Sequence, residues 1–204
     1  MKSLSSKMFK NHADRLRLKA DKLNDFNLPN AENFEIDWEL INTIALSKNK
    51  YKWQELPIYK NLLSNRNLPA VYYFIIARGN IELIHELYKQ SKEFHAEVAK
   101  SKGVRDEGFR NVSHVPKTFN ETECLYVGSR KCNVHQRLIQ HLGFGSKRTG
   151  ALNLVNVLGT SQSKFSITFY CHILNEDHID ITVDIEAAIQ SSLKPLIGKN
   201  SFGD

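Results

Sequence analysis

Two rhythms of apolar and polar positions run along this chain, and each change of rhythm marks a new element. Residues 8–24 follow a helical period, with Met8, Leu16, Leu18 and Leu23 too loosely spaced to form a strong apolar stripe. Asn and Pro at 27–30 interrupt it. The helical interval returns from Asp37 to Ser47 through Trp38, Ile41, Ile44 and Ala45. Residues 48–68 predict a loop and a short helix with Pro57 in its first turn. At PAVYYFIIA, 69–77, β-branched and aromatic residues crowd together and predict a buried strand, closed by Gly79-Asn80. An amphipathic helix is predicted over 81–101, with Ile81, Ile84, Leu87, Phe94 and Val98 near one face. The polar, turn-rich residues 102–122 read as a loop. A second strand over 124–128 and a helix over 133–142 follow. GFGSKRTG, 143–150, is a glycine-bounded basic loop, and 151–158 reads as helical. The third strand is SKFSITFYCHIL, 163–174. DITVDIEAAIQSSLK, 180–194, predicts a helix stopped by Pro195.

That order predicts a small three-stranded α/β layer from residue 67 onwards. Residues 1–66 are expected to form a helical N-terminal extension, and residues 78–123 a helical insertion between the first two strands. At 41% hydrophobic and 10% aromatic residues, the 204-residue chain can bury a core, which excludes wholesale disorder. No run approaches the roughly 18 apolar residues of a membrane span, and the first residues lack a signal peptide's apolar stretch. A cytoplasmic protein with no membrane partner is expected. Three cysteines, Cys124, Cys132 and Cys171, have no framework spacing and suit a reducing interior. Cys132 and His135 make a lone CxxH without the second ligand pair of a structural zinc site.

Charge adds a direction. The formal net charge is +6, and residues 124–175 hold no Asp or Glu, while Arg130, Lys131, Arg137, Lys147, Arg148 and Lys164 fall inside that window. A surface that lies on a phosphate backbone excludes carboxylates and gathers guanidinium and ammonium groups. Nucleic acid is therefore the expected partner. The basic helix at 8–24 reads equally as a second contact or as a solvated surface.

Inside the acid-free window, CLYVGSRKCNVHQRLIQH, 124–141, carries Arg137 and His141 one helical turn apart, so both project from one face. Arginine holds two phosphate oxygens in its planar fork and never deprotonates; imidazole titrates near neutral pH. A carboxylate for a divalent metal must come from elsewhere, and Glu186, in the last predicted helix, is the candidate.

In order, these segments resemble the GIY-YIG nucleases. PAVYYF, 69–74, is similar to the family's first strand, with Ala70-Val71-Tyr72 in place of Gly-Ile-Tyr. Tyr126-Val127-Gly128 resembles the Tyr-Ile-Gly triplet of the second strand. NVHQRLIQH, 133–141, is similar to the helix that carries the family's Arg and His, and IEAAIQSSLKPLIGKN, 185–200, to the closing motif with its Glu and Asn. Residues 67–202 are covered. Ala70 replaces the first glycine, one extra residue separates Gly128 from Arg137, and the long insertion replaces a short hairpin.

The resemblance implies an α/β fold on a three-stranded antiparallel sheet flanked by helices. It implies hydrolysis of DNA with Mg²⁺ or Mn²⁺ held by Glu186. Tyr72 would help deprotonate the water, once a metal or Arg137 has lowered its pKa from the ordinary phenol value near 10. Tyr126 would position the nucleophile or a phosphate oxygen, Arg137 would stabilise the transition state, and His141 would hydrogen-bond the phosphate or Tyr72. Asn200 would close the motif. Arg130, Lys131, Lys147 and Arg148 would meet the DNA backbone. Chain size and the N-terminal extension look most like the type II restriction endonucleases, which would act on double-stranded DNA as a homodimer across a palindrome. Homing, mobile-element or repair-type nucleases of the same family are the alternative, as is a nucleic-acid-binding module with a decayed site.

Overall fold

The densest apolar run becomes the central strand of the sheet. In the computed structural model, which describes residues 6–47, 52–100, 112–116, 119, 121–144 and 150–198, β2 (Ala70–Arg78) pairs with β3 (Cys124–Arg130) and with β4 (Ser166–Ile173). Val71, Tyr72, Phe74 and Ile76 are buried, as β-branched and aromatic residues are when a pleated surface is covered on both faces. β4 takes a second neighbour, β1 (Glu32–Glu35). The sheet is therefore four-stranded, in the order β1-β4-β2-β3 with every pairing antiparallel. This corrects the expected three strands. ENFE buries only Phe34, so it has too little apolar rhythm to read as a strand. It becomes one because the edge of β4 supplies partners for its backbone groups.

Seven α-helices surround the sheet among the described residues: α1 (Ser6–Asn24), α2 (Trp38–Leu46), α3 (Tyr59–Ser64), α4 (Ile81–Lys100), α5 (Val134–Leu142), α6 (Leu154–Leu158) and α7 (Thr182–Leu193). The Asp37 carboxylate starts α2 by accepting the N–H groups of Glu39 and Leu40. Pro57 stands just ahead of α3 instead of within its first turn. Residues 151–153 are not helical: Ala151 bridges to Val112, and α6 begins only at Leu154.

Alternation along the strands sorts side chains to two faces. On one, Tyr72, Phe74 and Phe169 join Leu138 and Leu142 of α5 and Leu154 of α6. Phe34, Ile41, Leu56 and Leu62 belong to the same core. The N-terminal region thus shares the core and contributes a strand, so it is not a purely helical extension. On the other face Val71 and Leu174 lie under Ile181 and Ile185, with Leu23 and Phe26 beside them. Lys19 and Lys22 of α1 reach Asp184 of α7 and Asp180 just ahead of it, at 3.3 and 2.9 Å. Half-exposed pairs of this kind contribute at most about 1 kcal/mol, so the apolar contacts anchor α1.

Candidate active site

Cross-strand register sets Tyr72 opposite Gly128, and Phe74 opposite Tyr126. The two phenol rings stack, with centroids 6.3 Å apart and planes 27° from parallel. A Cβ on residue 128 would stand 2.7 Å from Tyr72 Oη and 2.7 Å from Tyr126 Cε1. Only glycine leaves room for both rings, which is the physical reason for the glycine in Tyr-Val-Gly.

α5 lays Arg137 and His141 over these rings. His141 is fully buried. Its Nδ1 accepts the Leu152 N–H at 3.0 Å, so that nitrogen carries no proton and the neutral ring holds its proton on Nε2. Nε2 then donates to Tyr72 Oη at 3.2 Å. Burial first, then the charges of Arg137 and Arg130, keep the imidazole pKa well below 6.5. Arg137 Nε donates to the same phenol oxygen at 3.3 Å, while its other arms reach Gln140 Oε1 at 3.0 Å and the Gly150 carbonyl at 2.8 Å. Of the two roles expected for His141, contact with Tyr72 is the one the geometry contains.

Tyr72 departs from expectation. Arg137 does pull its phenol towards ionisation, but burial raises the pKa well above the ordinary value and the neighbouring Tyr126 adds to the rise. Desolvation outweighs one guanidinium here, and Tyr72 stays protonated at neutral pH unless a further positive charge is bound.

Glu186 arrives from the opposite face. Ser129 Oγ donates to its Oε2, and Gln190 Nε2, one turn further along α7, donates to its Oε1 at 3.0 Å. Burial raises its pKa, against the opposing pulls of the Ser129 hydrogen bond and Arg137. Because β3 is the edge strand, Arg137 above the sheet and Glu186 below it meet around the outer side of that strand. They line a cleft of about 400 Å³ with Tyr126, Val127 and Gln190. Val112, Ser113, His114, Gly150 and Gly198 complete its rim. Tyr72 and His141 stand behind the wall as its support.

Among the described residues no group of three His, Cys, Asp or Glu side chains gathers at one point, so Glu186 would be the sole protein carboxylate on an ion in this cleft. The donor chemistry fits a hard divalent cation. Two hydrogen bonds occupy part of the carboxylate's four lone-pair sites, and Mg²⁺ characteristically binds through one or two carboxylates with water and phosphate completing its shell.

Arg130 and Lys131 are both exposed at the end of β3. Arg130 shares a strand face with Tyr126 and Gly128, since it pairs with Ala70 as Gly128 pairs with Tyr72, so its charge is the one turned towards the tyrosines. Lys147, Arg148 and Asn200 lie outside the described residues. On α1, Lys19 and Lys22 are engaged by acids and Arg17 by Asp14, which favours the solvated-surface reading of that helix. The sequence does not single out Ser129, Gln190 or Ser113, and it reads His114 as structural or solvent-facing. Gln190, at i+4 from Glu186, and Ser129, next to the glycine, carried a positional hint; Ser113 and His114, in a polar loop, carried none.

Comparisons of the chain with protein-family models, with curated proteins and with solved structures give no significant match. The resemblance to the GIY-YIG nucleases therefore rests on the sequence motifs alone.

Proposed function

We propose that the protein is a divalent-metal-dependent endonuclease of the GIY-YIG kind, hydrolysing phosphodiester bonds of double-stranded DNA in the manner of the type II restriction endonucleases. One observation carries the reading. A guanidinium and a half-buried carboxylate, borne by helices on opposite faces of the sheet, converge with a tyrosine in a single cleft. Core packing has no use for that convergence, and perturbed ionisable groups in a cleft are the mark of a functional site.

In this reading Arg137 is the phosphate clamp. Its N–H groups are held by Tyr72, Gln140 and Gly150, with a further hydrogen bond to Tyr126, and a phosphate oxygen, whose charge grows in the transition state, would replace Tyr126 on the guanidinium edge that faces the cleft. Tyr72, accepting N–H bonds from both Arg137 and His141, fixes the direction of the guanidinium. Tyr126, at the cleft wall, orients the attacking water or a phosphate oxygen. Glu186, aligned by Ser129 and Gln190, is the ligand for Mg²⁺ or Mn²⁺. When bound, such an ion supplies Lewis-acid charge and eases deprotonation of water. One cleft cuts one strand, so double-strand cleavage requires two copies related by a two-fold axis.

Incubation of plasmid DNA with the protein and Mg²⁺ or Mn²⁺ tests the reading. Wild type is expected to give discrete fragments and Glu186→Ala none. Gel retardation without cutting under either ion would instead favour a nucleic-acid-binding module.

A further inference from the structure

Residues 112–116 belong to the insertion between β2 and β3, yet they border the cleft. Val112, Ser113, Val115 and Pro116 are buried, and His114 is the exposed member of the five. Three ties hold the segment. The Ser113 N–H donates to the Ala151 carbonyl at 2.9 Å, the Gly198 N–H donates to the His114 carbonyl at 2.7 Å, and His85 Nε2 of α4 lies 3.4 Å from the Pro116 carbonyl. The backbone is thus braced by the segments that also bring Gly150 and Gly198 to the cleft, and His114 shares that lining with Arg137, Glu186 and Gln190. His114 presents its imidazole to solvent from a stretch that is otherwise buried.

Breaking a phosphodiester leaves an alkoxide that needs a proton. Arg137 cannot supply one, because guanidinium does not deprotonate in proteins. Glu186 serves as an anion, and Tyr72 and His141 are buried behind the wall. Imidazole is the side chain that releases and regains a proton near neutral pH. We propose that His114 is a second catalytic residue of this cleft, its imidazolium donating a proton to the leaving oxygen. Water oxygen forms the new P–O bond and its proton passes to solvent. The scissile P–O bond breaks with its electron pair on the leaving oxygen. His114 gives that oxygen its proton and is recharged from solvent.

The inference rests on the nuclease reading, and its test separates the two. Once fragment ends have fixed which oxygen leaves, duplexes carrying oxygen or sulfur at that bridging position are compared, since a thiolate departs without a proton. His114→Ala, with His114→Gln beside it to keep the side chain's bulk, is expected to lose about 10²- to 10⁴-fold on the oxygen duplex. On the sulfur duplex it should cut within a few-fold of wild type, with unchanged melting temperature and DNA retention. Glu186→Ala should be slow on both. Wild-type rates for His114→Ala on the oxygen duplex, or equal losses on both duplexes, would overturn the catalytic role and leave the nuclease reading standing. Failure of the wild type to cut any DNA would remove both.

Discussion

Two phenols and a glycine occupy so little space at the β2–β3 pair that a single methyl group tests the arrangement. Gly128→Ala would force Cβ within 2.8 Å of both rings, and overpacking of this kind costs about 1–3 kcal/mol. A lowered melting midpoint and loss of cleavage are expected together, because Tyr72 cannot move without releasing Arg137. Glu186 behaves in the opposite way. Its pKa is raised in the fold, with burial as the first cause, so the native state holds that proton more tightly than the unfolded chain does. Its ionisation therefore removes stability as pH rises through the raised value. Glu186→Gln is neutral throughout. Its melting temperature should match wild type below the ordinary carboxyl pKa, exceed it as pH rises through the raised value and hold a constant lead above that, and added Mg²⁺ should raise the melting temperature of wild type alone. At this scale the sequence was readable where chemistry dictates residue type: Tyr126, Arg137 and Glu186 do meet in one cleft. It was unreadable where a role depends on a neighbour brought by folding. Ser129 is a common strand residue until α7 carries Glu186 beneath it, and burial reversed the pKa change that Tyr72's charged neighbour alone suggested.

Elements declared themselves in proportion to their apolar content. β2, β3 and β4 announced themselves through dense β-branched and aromatic runs, and α2 through its helical spacing. β1 did not, since three of its four side chains are exposed and its strand state exists only against β4. This has a measurable consequence for the N-terminal region. Phe34, Ile41, Leu56 and Leu62 are part of the core that surrounds Tyr72 and Phe74. A chain beginning at residue 67 would leave β4 with an unpaired edge and that core open. Such a chain is expected to lose the single cooperative thermal transition of the full protein, as followed by circular dichroism. An extension that was only an appendage would leave the transition in place.

For the whole molecule, the distribution of charge decides where a polyanion can lie. Arg130 and Lys131 are exposed beside the cleft, while Lys19 and Lys22 are engaged by Asp184 and Asp180 on another side of the sheet. If DNA runs along the outer side of β3, the slope of log affinity against log salt should fall by roughly one unit for each of Arg130→Gln and Lys131→Gln. Lys19→Gln and Lys22→Gln should leave it unchanged in the same filter-binding titration.

An outermost strand exposes backbone groups that invite pairing with another chain. In β3 the carbonyls of Cys124 and Leu125 are already taken, by the amides of Leu196 and Ile197. The stretch that follows α7 thus acts as a built-in guard against sheet-to-sheet aggregation. It confines the exposed length of β3 to the part beside Tyr126 and Arg137, where a substrate and not a second sheet would be its neighbour.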